Sequence, residues 1–272
     1  MKKKTLKTAA LLAALLLIAG IGFFANALLG NPVSKLLAER AAKAYLAAQY
    51  GETDFAIKQI NYNFKDGNYL VFIESPSSID SYFSIYYDMG GRLKRDEYED
   101  TVLSGSNTMR RLEMAYRELT DTVFESRVYP FGDNIAYGRL ECVPREYAQD
   151  VDADYALIME DLEPDRMYDI RELGAQAGRL IVYVDDETVS VERAAEVLLE
   201  LRQLMDESGV PFHAIDLVLT YPCPEDGGKK PEGRVEVWQF LYEDIYEDGL
   251  TERVKAAKDF VTAQRAVLDR EK

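Results

Sequence analysis

Apolar and polar positions follow two different periods along this chain, and one stretch has no alternation at all. From Thr8 to Leu29 the sequence TAALLAALLLIAGIGFFANALL carries no charge over 22 residues. At about 1.5 Å per residue a helix of that length reaches roughly 33 Å, enough for a hydrocarbon core about 30 Å thick. Lys2, Lys3, Lys4 and Lys7 precede it, and the first charge after it is Lys35. That lysine excess predicts a single-pass anchor in the cell membrane, with a short tail inside and residues 31–272 extracytoplasmic. The competing reading is a cleavable secretory signal. Ala25-Asn26-Ala27 fits a small-residue cleavage site, and cutting near Ala27 would secrete the remainder. The apolar run is longer than a usual signal core, which favours the retained anchor. No cysteine lies within residues 20–30, so a lipid-modified amino terminus is not expected.

Helical spacing resumes at once after the anchor. Asn31 is a good cap and Pro32 fits the first helical position. Leu36, Leu37, Ala41, Ala44, Tyr45 and Ala48 then recur by threes and fours up to Gly51. With so little linker, the first domain should sit against the membrane. The period changes to two over residues 55–64 and 69–75, which flank Lys65-Asp66-Gly67-Asn68, a hairpin signal. Residues 82–87 and 92–98 predict two more strands around Asp88-Met89-Gly90-Gly91. Asn107 is expected to cap a helix with Met109, Leu112, Tyr116, Leu119 and Val123 on its apolar stripe and Arg110, Arg111 and Arg117 off it.

Residues 128–133 hold Pro130 and Gly132 and form the expected domain boundary. Beyond it the pattern predicts a strand over 135–142, an acidic, weakly periodic section to about residue 165, and a short helix near 169–177. An apolar strand over 180–184 follows, then a long helix capped by Ser190 and ended by Gly209, with Ala194, Val197, Leu198, Leu201, Leu204 and Met205 inward. Strands over 213–220 and 234–242 flank a Gly/Pro/Lys loop, and a last helix begins at Thr251. The expected fold class is α+β: a transmembrane helix over residues 1–30 and two small α+β domains. The first, over 31–127, is helix, antiparallel sheet and helix; the second, over 134–272, is a mixed sheet with packed helices.

The runs NPVSKLLAE, YNFKDGNYLVFIESPSSID and SGSNTMRRLEMAYRE, within residues 28–125, resemble the amino-terminal half of the YfjL-like family. Beyond residue 130 the likeness continues as a looser pattern of segments. The resemblance implies a membrane-anchored, extracytoplasmic protein of Gram-positive bacteria with two domains, and it carries over no catalytic residue. The helix–sheet–helix order is also loosely similar to PepSY-type inhibitory or sensor modules, in topology only.

Composition changes the picture by its charge. All 48 acids lie beyond residue 34 against 28 of the 32 bases, so the expected external part carries −20. That field repels phosphodiester backbones and makes nucleic acid an improbable partner. Solubility is its simplest role; affinity for a divalent cation or a basic protein is the functional one. Cys142 and Cys223 each end an expected strand, leaving open either a disulfide or free thiols.

Candidate chemistry is sparse. Ser75, Pro76, Ser77, Ser78 and Asp80 form a loop that side-chain bonds to backbone explain; a ligand loop is the sharper alternative. His213 is the sole histidine, and no Cys-x-x-Cys or His-x-x-x-His spacing supports a metal or a relay around it. Asp150, Asp152 and Asp154 begin like a calcium loop, with Asp161 at the twelfth position, but Tyr155 stands where the turn needs Gly. The acids among residues 243–248 suit the start of the last helix. Gly227-Gly228-Lys229-Lys230 lacks the context of a phosphate loop, and Trp238 reads as a core residue. No catalytic residue, metal or cofactor is therefore expected. The first functional expectation is a non-catalytic envelope protein that binds, senses or supports an envelope protein partner. The alternative is an extracytoplasmic hydrolase using paired carboxylates between the domains.

Overall fold

The computed structural model describes residues 2–131, 135–149, 155–224 and 228–268; for residues 2–6, 9, 10 and 268 it describes the backbone alone. By packing, the chain divides into two compact units, Met1–Asn107 and Thr108–Lys272.

The first unit begins with α1 (Lys2–Leu29), a helix long and apolar enough to cross a membrane, its apolar side chains largely exposed. It is compatible with a membrane anchor or a signal sequence. After Gly30, α2 (Pro32–Gln49) starts at the expected cap: Asn31 Oδ1 accepts from Ser34 N at 2.8 Å. Ser34, Ala38, Ala42 and Leu46 are buried at intervals of four, a stripe of mostly small side chains that lets the helix settle on a sheet. That sheet is antiparallel, in the order β1 (Ala56–Asn63), β2 (Asn68–Glu74), β3 (Tyr82–Tyr87) and β4 (Leu93–Asp96). Alternate residues Tyr69, Val71 and Ile73 of β2 and Phe83, Ile85 and Tyr87 of β3 fill the core beneath α2. Tyr50, Phe55, Phe83 and Tyr98 close one end with edge-to-face contacts. A π-helical turn, Glu99–Leu103, adds Val102 to that core.

The division between units falls inside α3 (Ser106–Phe124), after its second residue. The second unit then runs β5 (Ala136–Leu140), β6 (Cys142–Val143), β7 (Leu157–Ile158), α4 (Ile170–Ala177), β8 (Gly178–Asp185), α5 (Val191–Glu207), β9 (Ala214–Thr220), β10 (Arg234–Leu241) and α6 (Leu250–Leu268). The main sheet has the order β10-β9-β8-β5. Only β8 and β9 are parallel, joined through α5, so the sheet is mixed. Leu180, Val182, Val184, Ile215, Leu217 and Leu219 alternate onto one face and pack with Val197, Leu198, Leu201 and Met205 of α5.

One expectation about α3 is corrected. On its stripe, Leu112 and Tyr116 pack with Leu140, Leu157, Leu173 and Ala177, while Val123 and Phe124 join the main core of the second unit. Periodicity says that a helix has an apolar face but not which sheet covers it. The packing division thus precedes the boundary expected at 128–133, of which Gly132 and Asp133 lie outside the described residues. Asn107 is not a cap. It is buried in the first turn, and its Nδ2 donates to Asp80 O at 2.8 Å and Tyr82 O at 2.6 Å.

Candidate functional site

The junction of α1 with α2 is fixed by several polar contacts. Gly30 has φ +69°, which turns the chain between the helices. The Tyr62 hydroxyl donates to Ala27 O at 3.0 Å. The Tyr69 hydroxyl accepts from Asn31 N at 2.7 Å and donates to Asn31 O at 2.9 Å. Asn31 Nδ2 donates to Asn26 Oδ1 at 2.7 Å. Asn26 and Ala27, part of the cleavage-like tripeptide, are therefore bonded to the folded unit rather than standing apart from it.

The loop at residues 75–80 is satisfied by its own surroundings. Ser75 Oγ donates to Asp54 Oδ1 at 2.5 Å, Ser77 N donates to Asp54 Oδ2 at 3.1 Å, and Ser81 N donates to Ser78 Oγ at 3.0 Å. The Ser75 and Ser77 hydroxyls hold the Asp54 carboxyl below its usual range. Ser75 and Asp80 are buried, whereas Pro76 and Ser77 are exposed. These are the side-chain-to-backbone bonds by which such loops are fixed.

In the second unit the structure brings together charges that sequence reasoning missed. Arg139 follows the β5 alternation opposite Arg179 of β8, and Asp216 lies one strand further on β9. Arg179 Nε and Nη2 donate to Asp216 Oδ1 and Oδ2 at 3.1 and 2.6 Å, a two-point fork, and Nη1 donates to Glu141 Oε2 at 3.1 Å. Arg139 Nη2 donates to both Glu141 oxygens at 2.7 Å. The side chains of Arg179, Glu141 and Asp216 are only 13%, 13% and 14% exposed, so these pairs are shielded. Asp216 also accepts from Gln239 N at 2.7 Å. Gln239 lies in a bulge, with φ +49°, where Trp238 and Gln239 together fall between the pairs Val237–Leu217 and Phe240–Ile215.

Burial pushes the Glu141 carboxyl up, but hydrogen bonds and charge from Arg139 and Arg179 outweigh it and hold the group below its ordinary value. Burial lowers Arg179, and its carboxylate partners more than reverse that. Glu141 therefore stays ionised at neutral pH, which suits structure or recognition rather than proton donation. The available signal was a lone Asp or Arg within an apolar strand, as in AIDLVL and GRLIVYV.

The other expected positions scatter. Cys142 and Cys223 stand as free thiols, the first half-buried in β6 and the second exposed. Burial, then the charges of Glu113 and Glu141, push the Cys142 thiol up to about 12. The His213 ring lies 4.2 Å from that of Tyr155, with Nδ1 3.3 Å from Ala175 O. Asp150, Asp152 and Asp154 of the calcium-like stretch lie outside the described residues, as does Gly227 of the Gly/Lys loop; Asp161 pairs with Arg145. Among the described residues no three His, Cys, Asp or Glu side chains gather to hold a metal. In the acidic run, Arg253 donates to the carbonyls of Asp244, Tyr246 and Asp248 at 3.0, 2.7 and 2.7 Å. Trp238 is half-buried rather than core, its Nε1 donating to Glu236 Oε1 at 2.8 Å. Alternation after the core residue Val237 places Trp238 on the opposite face of the strand, beside Glu236.

An apolar amino-terminal helix, an antiparallel α+β unit and a mixed-sheet α+β unit define the class of protein. The chain belongs to the YfjL-like family: residues 2–97 match the YfjL-like, N-terminal domain, and residues 116–255 match the YfjL-like C-terminal domain. The second match begins inside α3, ahead of the boundary expected from sequence. No curated protein matches the chain. Among solved structures, the chain is similar to a DUF5037 family protein from Ruminococcus gnavus ATCC 29149, at 15% identity over 83% of this chain and 98% of that one, with a TM-score of 0.25.

Proposed function

We propose that the chain is a single-pass envelope protein of a Gram-positive cell, with residues 31–272 extracytoplasmic, acting by binding or sensing an envelope protein partner. The observation that carries this reading is the bonding of Ala27 and Asn31 by Tyr62 and Tyr69. A leader destined for removal needs no such ties to the mature fold, whereas a retained anchor gains a defined orientation from them. Lys2, Lys3, Lys4 and Lys7 support the cytoplasmic placement of the tail. The hydrolase alternative would draw on Asp206, Glu207 and Glu247, which line an open cleft in the second unit. Asp206 there accepts from Tyr242 Oη at 3.0 Å and pairs with Arg202, so its carboxylate is already engaged by neighbours within the unit.

The test is in-cell crosslinking of the full-length, carboxy-terminally tagged chain against an anchorless secreted control. One dominant partner captured by the anchored form and lost from the control is expected. The same partners in both forms, or none in either, would count against the reading, and turnover of a cell-wall polymer by the purified chain would favour the hydrolase.

A further inference from the structure

We infer that the end of the first unit nearest α1 is a second membrane contact, in which two hairpin tips and the first turns of α2 rest on the phosphate and upper acyl layer of the bilayer that α1 crosses. This rests on the membrane-spanning reading of α1 and adds a surface to it. The chain direction places the tips. Strand β1 runs from Ala56, beside the carboxy-terminal end of α2, back to Tyr62, which bonds to the last turn of α1. Tyr62 pairs with Tyr69, and Asn63 with Asn68, so the turn at 64–67 lies beyond that bond. At about 3.3 Å per residue, Phe64 reaches roughly 7 Å past Tyr62 along the strand. Tyr69 pairs in turn with Tyr87, which brings the β3–β4 turn to the same end, and a Cβ on Gly91 would stand 3.1 Å from Leu37 O of α2.

What this end exposes differs from the rest of the chain. Phe64 is 59% exposed, Val33 67%, Leu36 47%, Leu37 39% and Leu93 44%, all large apolar side chains. Lys35, Lys65 and Arg92 are exposed among them, as is Lys94, which pairs with Asp88 at 3.6 Å, in an external part that carries −20 overall. The two acids at this end are engaged in its turns: Asp66 Oδ1 accepts from Asn68 N at 3.0 Å, and Asp88 Oδ1 accepts from Gly90 N and Arg92 N at 2.9 Å. Apolar side chains flanked by bases match an interface of acyl chains below phosphates. Continuity with α1 and this local reversal of charge select lipid as the occupant.

Full-length chain in a Trp238→Phe background, reconstituted into phosphatidylcholine–phosphatidylglycerol vesicles, tests this with three reporters. Phe23→Trp reports the anchor, Phe64→Trp the tip, and Ile79→Trp the opposite end of the same strands. Lipids brominated high on the acyl chain should remove most of the Phe64→Trp emission and leave Ile79→Trp bright, while lipids brominated deep in the chain quench Phe23→Trp. Adding Lys35→Glu, Lys65→Glu and Arg92→Glu should restore emission at the tip. If Phe23→Trp is quenched and Phe64→Trp stays as bright as Ile79→Trp, the second contact is overturned and the anchor stands. If Phe23→Trp is not quenched, the spanning reading fails and the second contact fails with it.

Discussion

The hydroxyl of Tyr69 serves both backbone groups of Asn31, accepting from its N–H at 2.7 Å and donating to its carbonyl at 2.9 Å. Tyr69 is itself buried beneath α2, so one side chain ties the sheet to the exit of the apolar helix. Tyr69→Phe leaves both groups of Asn31 without that partner and should destabilise the first unit by about 1–3 kcal/mol. Gly30→Ala should be worse, because φ there is +69° and a Cβ would stand 2.6 Å from the same hydroxyl. Urea unfolding of the detergent-solubilised chain measures both. A Tyr69→Phe midpoint equal to the parent's would remove the clamp.

Tyr116 makes a comparable demand on the second unit. Added Cβ atoms on Gly174 and Gly178 would lie 2.5 and 2.4 Å from its ring and hydroxyl, and one on Gly138 would lie 2.9 Å from Cε1. The hydroxyl donates to Pro211 O at 2.9 Å, and burial pushes its ionisation upward. Gly178→Ala also meets Gly174 O at 2.4 Å, a backbone atom that cannot swing aside. It should cost several kcal/mol, of the order seen for overpacked cores. Tyr116→Phe should cost only about 1 kcal/mol. Thermal melts that rank the two variants in the reverse order would refute the cradle.

Most elements were legible because their signals are local. The Asn31-Pro32 start, the Asp66-Gly67 turn and the Ser190 cap depend on neighbours in sequence, and each stands where the pattern put it. Gly67 has φ +72°, as a tight hairpin requires. What escaped was long-range. The stripe on α3 was visible, but its partners Leu140 and Leu173 lie far along the chain. Arg179 was readable as a charge at a strand start, and nothing local tied it to Glu141 and Asp216. Whether the cysteines pair was not legible for the same reason, since strand ends alone do not bring two Cα atoms together.

Those cysteines should behave unlike one another. Cys223 is exposed, while the Cys142 thiol is pushed up to about 12 and holds little thiolate at neutral pH. Brief maleimide treatment of the folded chain at pH 7 should add one label, at Cys223, and a second only after unfolding in guanidinium. Intact mass before and after denaturation gives the count. No label on the unfolded, unreduced chain would instead mean a bridge.

Glu141, held by Arg139 and Arg179, contributes to the acid sensitivity of the second unit. The folded Glu141 carboxyl lies below its ordinary 4.5, so the unfolded chain binds its proton more readily. Its contribution is therefore fully present above about pH 4.5 and is lost as pH falls through the folded value. Glu141→Gln should lower stability at pH 7 and flatten the acid limb of a stability–pH curve. Arg179→Met should be costlier, by about 3 kcal/mol, because it leaves Asp216 and Glu141 shielded from water without their shared cation. Arg179 is held more firmly protonated than a free arginine, so it does not contribute to the acid limb. Urea midpoints between pH 3 and 7 for parent and variants decide it. Parallel curves for parent and Glu141→Gln would show that the carboxylate is not held by the arginines in solution.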